Sequence, residues 1–179
     1  MGYPNLEKFD VELLERTYRN LSSNSIENRF TQLINSMLGM IILPVEYNAD
    51  KDLKPYSVKL MNIKLIKDMI NQKLNITIGN QDFEYQKLYW PNIDYEKISL
   101  FEFILKMRHA VAHQNIKPFK EGSEWVGVVF RCYPRGSHCK KWDSGFTFQV
   151  CLTQEEIMKL FDVLFEQRPR ENSEGGLGV

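Results

Sequence analysis

Hydrophobic residues recur every three to four positions in five stretches of the chain, a spacing typical of helices with one buried face. The strongest of these begins at Ile26 and ends before Pro44, and its wide apolar face predicts a central position in a bundle. The five predicted helices span residues 6–21, 26–43, 58–74, 99–113 and 153–165.

Capping boxes support the starts of three predicted helices. In this motif a polar side chain caps the helix, and a Glu three residues later reaches back to the cap. The pairs are Asn24 with Glu27, Ser99 with Glu102, and Thr153 with Glu156. The last two indicate that helices begin near residues 100 and 154.

The helical period is lost in residues 125–132 and 146–151, which are rich in β-branched and aromatic residues, and the second of these segments also alternates between apolar and polar positions. Both segments are therefore predicted to be strands. The turn-rich residues 133–145 between them complete a β-hairpin with a long loop. Residues 75–97 are aromatic and contain Pro91, and we interpret them as a loop that covers the core. A platform for stacking bases is the alternative for this segment.

These elements predict a mainly α fold, a bundle of four to five helices with a β-hairpin (residues 124–151) inserted before the last helix. The length of 179 residues fits one domain, which we place at residues 1–167. Residues 168–179 are polar and Gly-rich, and we expect a flexible tail.

Composition narrows the function classes. Lys plus Arg and Asp plus Glu both number 23, and this zero net charge argues against a protein that coats nucleic acid nonspecifically. No apolar run approaches the roughly 18 residues of a membrane span. The acidic N-terminal residues do not resemble a secretory signal. We therefore expect a cytoplasmic protein without membrane contact.

Candidate chemistry concentrates at the end of the fourth predicted helix. Arg108 and His113 lie five residues apart among small apolar residues. A guanidinium suits bidentate contact with phosphate oxygens, and an imidazole moves protons near neutral pH. Together they suit cleavage of a phosphodiester without a metal.

Helical geometry adds a condition to this site. Positions five apart differ by about 140° around a helix axis, so Arg108 and His113 converge poorly on one regular helix. They converge if the helix ends near His113, or if two copies meet across a two-fold axis. The sequence therefore predicts a homodimer with a composite site.

The segment from Arg108 to His113 resembles the motif of the HEPN superfamily, in which Arg, four to six residues and then His lie near a helix end. The superfamily consists of small helical bundles and is rich in ribonucleases of defence and toxin–antitoxin systems. The residue after Arg is often Asn there, whereas His109 occupies that position here.

The resemblance implies an endoribonuclease without a cofactor, in which His113 acts as general acid or base and Arg108 holds the scissile phosphate. The product would carry a 2′,3′-cyclic phosphate. His109 and Asn115 are candidate auxiliary residues. The implied partners are RNA, a second copy of the chain and a neutralising antitoxin, in a toxin or antiphage role. A non-catalytic module that binds nucleotide, RNA or protein is the alternative.

Simpler interpretations stand beside the catalytic one. Cations at positions 108 and 113 also stabilise a helix C-terminus without any chemistry. His109 and His113 have the spacing of zinc ligands on a helix, although Ala110 takes the place of the usual Glu. A second alternative is a hairpin zinc site, but its residues lack a Cys-x-x-Cys pair, and we expect no metal. Its candidate ligands are Cys132, His138, Cys139 and Cys151.

Basic residues in and before the hairpin loop are candidates for contact with a phosphate backbone. They are Arg131, Arg135, Lys140 and Lys141. Tyr133 and Trp142 are placed to stack on bases, and a solvated loop without ligand is the alternative.

Overall fold

A computed structural model describes residues 18, 36, 39–41, 56–78, 81–121, 124–134 and 145–167. Within the described residues from 56 to 167, a 3₁₀ turn at Leu60–Asn62 precedes three helices. The helices are α1 (Lys64–Met69), α2 (Leu100–Ala112) and α3 (Gln154–Glu166). The strands are β1 (Lys73–Ile78), β2 (Gln81–Gln86), β3 (Leu88–Tyr89), β4 (Ile116–Glu121), β5 (Glu124–Cys132) and β6 (Phe148–Thr153).

All six strands join one antiparallel sheet in the order β2-β1-β4-β5-β6-β3. The two edge strands, β2 and β3, are consecutive in the chain and are separated only by Lys87. The sheet therefore rolls until its edges meet in a nearly closed barrel. The amide of Gln149 on β6 donates to the carbonyl of Gln86 at 2.8 Å, and the Cys151 N–H donates to the carbonyl of Lys87 at 2.8 Å.

Each face of the sheet buries its own apolar cluster, because side chains alternate along a strand. On β5, Val128 and Phe130 face the helices and join a core with Phe103 of α2 and Phe161 of α3. Val129, between them, faces the barrel interior. The interior cluster consists of Ile76, Ile78, Tyr85, Phe119, Val129 and Cys151.

The predicted fold class, a HEPN-like helical bundle with one inserted hairpin, is wrong for the described residues. Their central feature is the six-stranded sheet, and the hairpin strands β5 and β6 lie near its middle. Residues 75–97, predicted to be a loop, contain most of β1, β2 and β3. The predicted helix over 58–74 is reduced to a 3₁₀ turn and the six residues of α1.

The physical reason for this error is visible in β1. Its apolar side chains, Leu74, Ile76 and Ile78, alternate with polar ones, and this two-residue period belongs to a strand. The apolar residues that precede it extended the apparent helical period into this strand. Pairing with β2 and β4, which the local pattern does not reveal, stabilises the extended conformation.

Both later capping boxes are confirmed. The Ser99 N–H donates to the Glu102 carboxylate at 2.8 Å, and the Glu102 N–H donates to the Ser99 hydroxyl at 3.3 Å. Thr153 and Glu156 make the same reciprocal pair, at 3.0 and 3.3 Å. Helices α2 and α3 therefore start where the sequence predicts.

The other predicted elements lie mostly outside the described residues. Within the first two predicted helices, Tyr18, Ser36 and residues 39–41 are helical. The Tyr18 hydroxyl donates to Asp162 at 2.6 Å, and its ring stacks on Phe165 of α3 with a centroid distance of 4.4 Å. The tail at 168–179 lies outside, so the domain boundary stays a prediction. In the described part of the chain, every helix is too short or too polar to cross a bilayer.

Candidate functional site

Helix α2 stops abruptly at the Arg-His motif. The Asn115 N–H donates to the Ala110 carbonyl at 2.7 Å, and the Gln114 N–H donates to the Val111 carbonyl at 2.9 Å. This pair of bonds is a Schellman motif, with His113 as the C-cap residue. The chain turns through Gln114, whose φ is +56°, and the Asn115 carbonyl accepts from the Arg131 N–H at 3.0 Å. The helix end is therefore tied to β5.

The left-handed conformation of Gln114 gives a testable consequence. A side chain in this region is strained, and glycine is the usual residue at this position of the motif. We expect Gln114→Gly to raise the free energy of unfolding by about 0.5–1 kcal/mol. Urea unfolding of both proteins measures the difference. A destabilised glycine variant would contradict the assignment of strain to this residue.

The motif residues occupy different sides of α2. Its buried face includes Phe103, Met107 and Ala110, whereas Arg108 and His109 are half-buried and His113 is exposed. At 100° per residue, His113 lies close to the angular position of His109 and about 140° from Arg108. The three side chains share one helix end, but Arg108 lies on a different flank.

Positive charge surrounds His109. Burial lowers the pKa of this imidazole below 6.5, and the charges of Arg108, Lys106 and His113 lower it further. Because the folded pKa is below the unfolded value, protonation of His109 opposes folding. Its contribution to stability is fully present above pH 6.5 and is lost as the pH falls through the folded pKa. At neutral pH His109 is therefore predominantly neutral within a cationic group.

Removal of a neighbouring charge should raise the pKa of His109. We expect Arg108→Ala to move the titration of the His109 ring protons toward 6.5 without reaching it, because burial still disfavours the charged form. NMR titration of the imidazole protons gives the value directly. Lys67→Ala on the exposed side of α1 is the control and should leave the curve in place. An unchanged titration in Arg108→Ala would mean that the guanidinium is remote from His109.

Arg131 does not occupy the predicted position in a basic surface. It is fully buried in the barrel interior, where its Nε donates to the Gln149 side chain at 2.7 Å. Its guanidinium lies over the rings of Tyr85 and Phe146, with centroid distances of 4.4 and 4.3 Å. The prediction that Arg131 contacts a phosphate backbone is wrong in this structure, because the surrounding strands exclude it from the surface.

The other predicted contacts of the hairpin loop lie outside the described residues. They are Arg135, Lys140, Lys141 and Trp142. Asn115, a predicted auxiliary residue, is half-buried. Its N–H bonds to Ala110 of α2 and its carbonyl to Arg131 of β5, so its backbone connects the helix end to the sheet.

Cys132 and Cys151, two of the four candidate zinc ligands of the hairpin, point to opposite faces of the sheet. The Cys132 thiol donates to the Lys106 carbonyl at 3.1 Å, and burial raises its pKa to about 11. Cys151 lies in the barrel interior, and burial raises its pKa to about 12. One ion cannot bind both thiols. His138 and Cys139 lie outside the described residues, which contain no group of three candidate metal ligands.

Of two residues near the motif, the sequence-based prediction assigned no role to Lys106, whereas Trp90 belongs to the aromatic segment 75–97 that it expected to cover the core or, alternatively, to stack on bases. Lys106 lies seven residues before His113, two turns earlier on the same side of α2. Its ammonium is 5.7 Å from the ring centroid of Trp90. The spacing of Lys106 could have been recognised in the sequence. The approach of Trp90 could not, because it depends on β3 joining the sheet edge.

Comparison with known proteins identifies the family. A family model described as HEPN pEK499 p136 matches residues 1–169. No curated protein and no solved structure matches the chain. The family match includes the described helix end with Arg108 and His113, so the resemblance inferred from the motif is confirmed at the level of the family. The chain belongs to the HEPN family described as HEPN pEK499 p136.

Proposed function

We propose that this protein is a metal-independent endoribonuclease whose active site lies at the C-terminal end of α2. The observation that carries the proposal is the group of basic side chains there, Lys106, Arg108, His109 and His113, in a chain of the HEPN family. The exposed imidazole of His113 follows directly on the last helical residue. A titratable group beside fixed positive charges suits a reaction at a phosphate.

In the proposed reaction the ribose 2′-hydroxyl attacks the adjacent phosphorus. The bond from the 2′ oxygen to phosphorus forms as the bond to the 5′ oxygen breaks. His113 accepts the 2′ proton, and an imidazolium returns a proton to the leaving 5′ oxygen. The products are a 2′,3′-cyclic phosphate and a 5′-hydroxyl. Arg108 contacts the non-bridging oxygens, where negative charge increases in the transition state.

A homodimer completes this site. Within one chain, Arg108 and His113 differ by about 140° around α2 and are separated by about 7.5 Å along it. A two-fold axis beside the helix end would bring Arg108 of one protomer toward His113 of the other. The same His113, once protonated, would then return its proton to the leaving group.

His109 fits a supporting role in this arrangement. Its lowered pKa keeps it neutral at pH 7, so its N–H can donate a hydrogen bond to a phosphate oxygen while the other ring nitrogen accepts one from a hydroxyl. Asparagine, frequent at this position in the superfamily, offers the same two functions. We therefore assign His109 to positioning of the substrate rather than to proton transfer.

The cellular role follows from the chemistry. An unrestrained ribonuclease is toxic, so we include in the proposal a toxin or antiphage effector that a partner protein neutralises. A non-catalytic module would instead bind RNA and release it intact. Expression toxicity that disappears with His113→Ala distinguishes the two.

The direct experiment is incubation of the purified protein with total RNA in the presence of a chelator. We expect cleavage to proceed, with 2′,3′-cyclic phosphate at the new 3′ ends. Intact RNA under these conditions would reject the proposed activity, and RNA binding without cleavage would favour the non-catalytic module. Cleavage that requires added metal would reject the mechanism.

A further inference from the structure

The surface next to the proposed cleavage site carries a cation and an aromatic ring in contact. Lys106 and Trp90 are both half-buried, and the ammonium is 5.7 Å from the indole centroid. This distance is near the outer limit of a cation–π contact, so the ammonium can turn to an incoming anion at small cost. The cation and the ring are the two groups with which proteins bind single-stranded nucleic acid.

The sheet fixes the position of Trp90. The indole packs edge-to-face on Phe148, with centroids 5.2 Å apart, and Phe148 pairs with Cys132 across β5 and β6. The Cys132 thiol in turn donates to the carbonyl of Lys106. The ring and the lysine are therefore held against each other by the same part of the barrel, and the pair is preformed.

The distance to the motif suits a short piece of a single strand. Lys106 and His113 lie seven residues apart on one side of α2, about 10 Å along the axis. His109 lies between them, and its pKa responds to both charges. The stripe from Lys106 to His113 thus runs from the aromatic ring to the proposed general base.

We propose that Lys106 and Trp90 form a nucleotide subsite beside the cleavage site, where the indole stacks on a base and the ammonium contacts a phosphate of the same single strand. The subsite rests on the proposed ribonuclease function and adds to it a preference for single-stranded RNA. A duplex would not supply an unstacked base to the ring.

Binding measured in the His113→Ala background separates the subsite from catalysis. The probe is a fluorescein-labelled single-stranded RNA hexamer, followed by anisotropy. We expect Lys106→Gln and Trp90→Leu each to weaken binding roughly 5- to 100-fold. Lys106→Gln should also reduce the log–log slope of affinity against salt by about 0.7, the signature of one lost phosphate contact. Trp90→Phe keeps a stacking face and should bind within about threefold of the parent.

A matched pair elsewhere in the molecule provides the control. Lys120 lies 4.3 Å from the ring centroid of Trp125, which is 43% exposed. This pair is near the start of β5, roughly 20 Å along the strand from Cys132. Lys120→Gln and Trp125→Leu should leave hexamer binding unchanged, although they alter the same residue types.

Intrinsic fluorescence reports on Trp90 itself. Trp125→Phe combined with Trp142→Phe leaves Trp90 as the single tryptophan of the chain. We expect the hexamer to quench its emission, and an oligoglutamate peptide of equal charge to leave it unchanged.

Hexamer binding that is unchanged in the Lys106 and Trp90 variants would overturn the subsite but would not contradict the proposed cleavage site. Equal binding of the peptide would overturn the assignment to RNA, and failure of both binding and cleavage would overturn both proposals.

Discussion

His113→Ala is expected to lower the rate of RNA cleavage by roughly 10²- to 10⁴-fold, the usual contribution of a general acid or base. The imidazole is exposed at the C-cap of α2, so its loss removes the proposed proton acceptor without opening the core. Single-turnover cleavage of a defined RNA, with chelator present, measures the effect. Thermal unfolding within a few degrees of the wild type would show that the variant is folded.

His109→Asn is the matched control for this prediction. It replaces a neighbouring imidazole by the residue that is frequent at this position in the superfamily, and we expect the cleavage rate to change by less than about tenfold. If His113→Ala cleaves as fast as the wild type, the proposed mechanism is excluded. If His109→Asn is the inactive variant, the general base has been assigned to the wrong imidazole.

A composite site predicts that two inactive variants restore activity when their subunits are mixed. Arg108→Ala and His113→Ala should each be inactive alone, but a mixed dimer of the two contains one site with both native residues. Equal mixing with subunit exchange should therefore restore about a quarter of the wild-type activity. No recovery, in subunits shown to exchange, would place both residues of each site in one chain.

Local signals in the sequence predicted the parts of the fold that local contacts determine. The starts of α2 and α3 were correct because each capping box closes within four residues. The motif was found for the same reason, since Arg108, His109 and His113 lie on one helix end. These features need no knowledge of the rest of the chain.

Features that depend on distant pairing were missed. The sheet closes because Lys87 carries the chain from one edge to the other, and this becomes apparent only once β6 receives β3. Arg131 appeared to be a surface cation because the rings that cover it, Tyr85 and Phe146, come from other parts of the chain. The contact of Trp90 with Lys106 was missed for the same reason.

Close packing in the rolled sheet leads to the prediction with the largest effect on stability, which concerns Gly127 in β5. This residue pairs with Phe119 of β4 on one side and with Thr153 of β6 on the other. A Cβ atom built on Gly127 would lie 2.5 Å from two ring carbons of Phe119, and closer still to the Leu152 carbonyl oxygen. Real Cβ atoms essentially never approach heavy atoms within 3.0 Å. Glycine is therefore required here because there is no room for a side chain.

Gly127→Ala is expected to lower the free energy of unfolding by about 3 kcal/mol, at the upper end of the range for overpacking. Phe119 is fully buried and has little room to turn, and the Leu152 oxygen belongs to the backbone of β6, a strand that is paired on both sides. Relief requires β5 to separate from its neighbours. For a chain of this size the loss corresponds to a decrease in Tm of roughly 6–12 °C, which calorimetry measures.

Gly39→Ala tests whether this loss arises from the sheet or from glycine replacement in general. Gly39 is helical, and a Cβ built on it meets nothing within 4 Å. Alanine in a helix is favoured over glycine by about 1 kcal/mol, so this variant should be as stable as the wild type or more so. The changes in the free energy of unfolding for Gly127→Ala and Gly39→Ala are expected to have opposite signs only if β4, β5 and β6 pack as described. A Gly127→Ala protein as stable as the wild type would contradict the close approach of these three strands, and with it the rolled sheet that holds the end of α2.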